Sequence, residues 1–119
     1  MFLRPVFLRL LFVASLMLPG TGWAHAILME SQPGAGATVA PSLVLVQFRF
    51  NSRIDHARSR LLLRSGPAVR ALPLDPGSPP DTLASQAGMA PGEYTLRWQV
   101  LAIDGHITRG DIPFTVRAP

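Results

Sequence analysis

Cysteine is missing from all 119 residues. That excludes disulfide staples, thiolate zinc sites, iron–sulfur clusters, thiol nucleophiles and the thiolate-ligated blue copper centre. Lysine is missing as well, so all 11 basic residues are Arg. Neither a Walker-type phosphate loop nor Schiff-base chemistry can be built from such a chain. No window carries a convincing helical period, and there is no internal repeat, low-complexity tract or second domain. What the sequence does have is 48% apolar residues, a folding composition, together with 12 Pro and 10 Gly. That much Pro and Gly does not suit a helical bundle and does suit short strands joined by many turns. The length allows one small domain.

The net charge of +4 is not a nucleic-acid signal. Arg4 and Arg9 stand ahead of the apolar run Leu10–Leu18, which is followed by the breaker Pro19-Gly20 and then Gly22-Trp23-Ala24. A basic start, a short apolar centre and small residues before a cut have the shape of a secretory signal peptide. The competing reading, an uncleaved membrane anchor, needs roughly 20 apolar residues, and this run is less than half that. Cleavage is expected after Ala24, so that residues 1–24 are leader and 25–119 the working domain. Nine Arg against seven acidic residues leave that domain at +2, too weak for a surface that tracks nucleic-acid phosphates. The expected product is exported, single-domain and nearly neutral.

Alternating patterns dominate residues 25–119. In Ser42–Phe50, Val44, Val46, Phe48 and Phe50 share one face at period two, and Gln47 and Arg49 fall on the other. Tyr94, Leu96, Trp98 and Val100 alternate with Thr95, Arg97 and Gln99. Ile112, Phe114 and Val116 alternate with Thr115 and Arg117. Leu61–Leu63 reads as a short buried run, and Ala68–Leu72 and Asp81–Ser85 as shorter strands. Asn51–Arg60 reads as polar and bend-prone, and Ile103–Asp111 as a loop. Short strands with turn signals at such spacing predict an all-β sandwich or barrel. Phe48, Phe50, Trp98 and Phe114 are its expected core.

The chemistry-bearing residues are few. Cleavage after Ala24 makes His25 the first residue, and a terminal His offers both its α-amine and its imidazole to a metal. Both have pKa values near neutrality, so the proton penalty is small. Asp104 and His106, one residue apart, fall on the same side of an extended backbone, with Gly105 between them presenting no side chain. Together these make three nitrogens and one oxygen, which in a near-planar set suit Cu(II). The residues alone leave a plain alternative open, a hydrogen-bonded loop histidine, because Asp-Gly is an ordinary turn pair. His56 reads as a solvated loop histidine, and a supporting role at a metal site is the lesser alternative. Arg53, Arg58, Arg60 and Arg64 read as a solvated basic face. Glu30 and Asp111 are candidates for holding a ligating imidazole from behind.

The start His25-Ala26-Ile27-Leu28-Met29-Glu30-Ser31-Gln32-Pro33-Gly34 resembles the opening of the CopC family of periplasmic copper-resistance proteins. The resemblance continues through Phe48-x-Phe50, Ala90-Pro91-Gly92-Glu93-Tyr94 and the Trp98 strand to Asp104-Gly105-His106, Gly110 and Phe114-x-Val116. It implies a small Greek-key β-sandwich or barrel, immunoglobulin-like and similar to the cupredoxins. It also implies a Cu(II) site formed by His25, Asp104 and His106, and handover to a CopD-like inner-membrane protein. Members with a Cu(I) site carry a Met-rich loop, whereas residues 25–119 contain only Met29 and Met89, far apart. One Cu(II) site without a thioether site is therefore expected, with no nucleic acid and no small-molecule substrate as partner.

Two other functions compete with a copper carrier. A terminal His with one further His is also the copper brace of the lytic polysaccharide monooxygenases, but Asp104 would fill the plane and no long loops build a substrate face. The other is an immunoglobulin-like interaction module whose histidines bind no metal.

Overall fold

The computed structural model describes residues 25–119, and the leader read over residues 1–24 lies outside them. The described residues form eight strands and no helix. They are β1 (Leu28–Gln32), β2 (Ala37–Val39), β3 (Ser42–Phe50), β4 (Ile54–Ser65), β5 (Ala68–Leu72), β6 (Thr82–Met89), β7 (Gly92–Ala102) and β8 (Ile107–Val116). A three-stranded sheet in the order β1-β3-β6 faces a five-stranded sheet in the order β2-β8-β7-β4-β5. The chain passes between the sheets in the Greek-key manner. All pairings are antiparallel except the short β2–β8 pair.

The period-two pattern explains why these segments pair and which way they face. Val44, Val46, Phe48 and Phe50 of β3 are buried against Leu96, Trp98 and Val100 of β7 and Ile112, Phe114 and Val116 of β8. Phe50 meets Trp98 edge-on with ring centroids 5.3 Å apart, and Tyr94 stacks on Phe114 at 5.6 Å. Gly110 sits opposite Trp98 in the β7–β8 ladder. A Cβ there would lie 2.6 Å from the indole, so only glycine lets β8 pass the Trp98 ring.

Two segments depart from the sequence reading. Asn51–Arg60 is not a bend throughout, because β4 begins at Ile54 and runs for 12 residues. Its polar look comes from a bulge, with Asp55 opposite Leu101 and Arg60 opposite Gln99. The buried Ser59 bridges the interrupted ladder: its hydroxyl donates to the Asp55 carbonyl at 2.6 Å and accepts the Leu101 N–H at 3.1 Å. Likewise, the loop expected over Ile103–Asp111 shrinks to a tight turn, and β8 starts at Ile107. Alternation continues back to Ile107 on an exposed edge of the pattern, where polar and small residues concealed it.

Candidate metal centre

The β7–β8 hairpin turn places Asp104 and His106 at one tip of the sandwich. Ala102 and His106 close it, the Ala102 N–H donating to the His106 carbonyl at 2.8 Å and the Gly105 N–H to the Ala102 carbonyl at 2.9 Å. Gly105 has φ +90° and open space where a Cβ would stand, so glycine is required here for its backbone angle. This corrects the extended geometry expected from the spacing. The two side chains meet because the backbone turns and Asp104 folds back. Its Oδ1 accepts the His106 N–H at 3.1 Å and its Oδ2 accepts from the His106 ring Nδ1 at 2.6 Å.

The N-terminal segment reaches the same tip by main-chain contacts. The Ala26 carbonyl accepts the Thr108 hydroxyl at 3.0 Å, and Ala26 itself is buried. Asn51, just past β3, grips Ile27 from both sides. Its Oδ1 accepts the Ile27 N–H at 2.7 Å, and its own N–H donates to the Ile27 carbonyl at 2.9 Å. These anchors hold the His25 ring beside the His106 ring, with centroids 4.4 Å apart and planes inclined by 34°. The three residues singled out from sequence thus share one tip. Sequence reasoning missed Asn51 and Thr108, whose role rests on partners 24 and 82 residues away.

Electrostatics favours charge on the carboxylate. Asp104 is held below the ordinary carboxylate value, first by the His106 main-chain N–H, then by the His106 ring and, at longer range, by His25, while partial burial opposes the shift. Among the described residues, no three His, Cys, Asp or Glu side chains form a closed cage for an ion. The arrangement is instead an Asp–His pair with a second ring alongside, and its fourth candidate donor is the main-chain nitrogen of residue 25. The separation of the pair fits metal binding. Two donors at right angles, each about 2.0 Å from an ion, are about 2.8 Å apart, close to the 2.6 Å between Oδ2 and Nδ1. A metal ion would replace the proton that these two atoms share. The donors of the site are nitrogen and oxygen, with no thiolate, a set that suits a divalent transition-metal ion.

The remaining candidates lie elsewhere. Glu30 pairs with Arg49 at 2.6 Å and Asp111 with Arg97 at 2.9 Å, so neither holds an imidazole. Oppositely charged neighbours directly across each ladder captured both. His56 is no loop residue: it rides the β4 bulge, half-buried, and its Nε2 donates to the Thr82 carbonyl of the other sheet at 2.7 Å. Met29 is exposed on β1, whereas Met89 is buried and pairs with Ser42, at the opposite end of β3 from the Asn51 anchor.

The two-sheet Greek-key sandwich is the fold of a known class. The CopC domain profile matches residues 28–117, and the chain belongs to the CopC family. It is similar to the crystal structure of CopC from Methylosinus trichosporium OB3b, with a TM-score of 0.69 and 30% identity over 79% of this chain and 95% of that one. PcoC, described as a methionine-rich copper resistance protein from Escherichia coli, shares the fold, with a TM-score of 0.63 and 24% identity over 79% of this chain and all of that one. Among curated relatives, Protein YobA of Escherichia coli K12 is 27% identical over 112 residues, covering 90% of each chain.

Proposed function

We propose that this chain is a periplasmic Cu(II)-binding protein, a carrier or buffer in copper resistance or homeostasis, and not an enzyme. The ligands in this reading are the α-amine and imidazole of His25, freed by removal of residues 1–24, with Asp104 and His106. The observation that carries it is the 4.4 Å approach of the His25 and His106 rings beside the Asp104–His106 pair. Membership of the CopC family supports copper as the cargo. The donor set supports the cupric state, since it is built of nitrogen and oxygen, thiolate-free and able to release its protons near neutral pH. Four protein donors fill a plane and leave little room for substrate, which suits holding and passing on an ion, with a CopD-like inner-membrane protein as the recipient.

Competition calorimetry with Cu(II) on the exported protein tests this reading. One equivalent should bind, and Asp104→Ala should weaken binding by about tenfold to a hundredfold or more. Equal affinity in the variant would overturn the assignment. Rapid ascorbate-driven peroxide formation by the loaded protein would favour the copper oxidase instead.

A further inference from the structure

We infer that the outer face of the five-stranded sheet seats the protein on an anionic phospholipid surface. The two sheets differ sharply in the charge they present. On the outer face of the three-stranded sheet, Glu30 and Arg49 neutralise each other across the β1–β3 ladder. The outer face of the five-stranded sheet carries Arg58, Arg60, Arg64, Arg97, Arg109 and Arg117, opposed by Asp55, Glu93 and Asp111. The net charge of +2 for residues 25–119 therefore hides a local excess of +3 on one face.

The ladder registers show how these residues are arranged. Nearest the tip lies an aliphatic row, Leu101 opposite Ile107, flanked on β4 by Asp55, which pairs with Arg58 at 3.8 Å. Next comes Arg60-Gln99-Arg109, then Leu62-Arg97-Asp111, then Arg64-Thr95-Pro113. Arg97 is committed to Asp111, and Arg109 donates to Gln99 Oε1 at 2.9 Å. Among the described residues, Arg60 and Arg64 have no carboxylate within ion-pair distance, so both guanidinium groups are available. Ile107 and the turn residue Ile103 are 52% and 70% exposed, at the end of the face where the aliphatic row stands.

Free guanidinium forks interspersed with aliphatic side chains on one sheet face match a bilayer interface. The forks donate bidentately to phosphate oxygens, and the aliphatic row enters the headgroup boundary. An acidic protein segment would account for the arginines but leave Ile103 and Ile107 exposed. Lying on this face, the protein would hold its His25–His106 tip at the membrane surface. The inference concerns a different surface from the metal centre and does not depend on copper binding.

Co-sedimentation with vesicles tests it. The exported protein, with its N-terminus established by intact mass so that no apolar leader contributes, is mixed with phosphatidylglycerol/phosphatidylcholine vesicles or with pure phosphatidylcholine. Binding should occur only on the anionic vesicles and should fall at high salt. The double substitution Arg60→Gln/Arg64→Gln removes two exposed, unpaired side chains and should weaken binding by about thirtyfold. Arg49→Gln on the other sheet should leave it unchanged, and Ile107→Ser should reduce it by a few-fold. Equal binding to neutral vesicles, insensitivity to Arg60→Gln/Arg64→Gln, or binding to polyglutamate without binding to anionic vesicles would overturn the proposal. The last result would assign the face to an acidic protein partner.

Discussion

His106 and His56 are the same residue type in opposite situations, and the contrast shows what makes a histidine available to an ion. His106 stands exposed on a hairpin tip, its Nδ1 paired with a carboxylate and a second imidazole beside it. Its Nδ1 contact is a shared proton between two good metal donors, which a cation can replace. His56 is half-buried in the β4 bulge, and its Nε2 donates to a main-chain carbonyl across the sandwich. That contact ties β4 to β6, and breaking it would strand a polar atom between the sheets. In the proposed reading one histidine is held for exchange with a metal ion, while the other serves cohesion.

The sharpest way to break this comparison is to remove each ring in turn. His106→Ala should weaken Cu(II) binding by at least about a hundredfold, beyond the usual cost of losing an outer-shell partner, with the melting temperature little changed. His56→Ala should do the reverse, costing about 1–3 kcal/mol of stability and leaving copper affinity alone. Thermal melts and competition titrations on the same two variants decide it, and a loss of copper affinity in His56→Ala would dissolve the distinction.

Next in size is a change at the frame that supports the tip. Gly110→Ala places a methyl against the Trp98 ring and should destabilise by about 1–3 kcal/mol, the range for overpacking a core. Denaturant melts should show the loss, and copper stoichiometry should stay at one. Asn51→Ala should cost about 1 kcal/mol for its lost bond to Ile27. Because Asn51 positions the segment after His25, copper affinity should also fall a few-fold. An unchanged affinity would mean that the N-terminal segment is ordered without Asn51.

The smallest effect concerns acid. The Asp111 carboxyl lies below the ordinary carboxylate value, first through its hydrogen bond from Arg97, then through the charges of Arg97 and Arg64. A lowered folded value means that its contribution is present above the ordinary value of about 4 and is lost as pH falls through the folded one. Asp111→Asn should therefore flatten the acid limb of the stability profile. At neutral pH it should cost under about 1 kcal/mol, because both partners are half-exposed and screened. Urea melts from neutral to acidic pH measure this directly.

The comparison also marks what could be read in advance. Ser42–Phe50 and Ala68–Leu72 have the bounds expected from sequence, and the inward faces of β3, β7 and β8 follow the period-two alternation side chain by side chain. A period of two is a local property, so local sequence carries it. The start of β4 was illegible because Ser59 replaces a missing ladder partner with its side chain, a device that leaves no pattern. Glu30 and Asp111 looked free in sequence, but ladder register paired each with an Arg on the next strand. At the tip, residue types pointed to Asp104 and His106, while the extended geometry expected for them gave way to a turn around Gly105. Asn51 and Thr108 became meaningful only once folding brought them to the N-terminal segment.

Pulsed electron paramagnetic resonance of the exported protein, loaded with one equivalent of Cu(II), bears most directly on the metal centre. Modulation from two imidazole rings is predicted, falling to one in His106→Ala. A single ring in the unaltered protein, or two that persist without His106, would contradict the account.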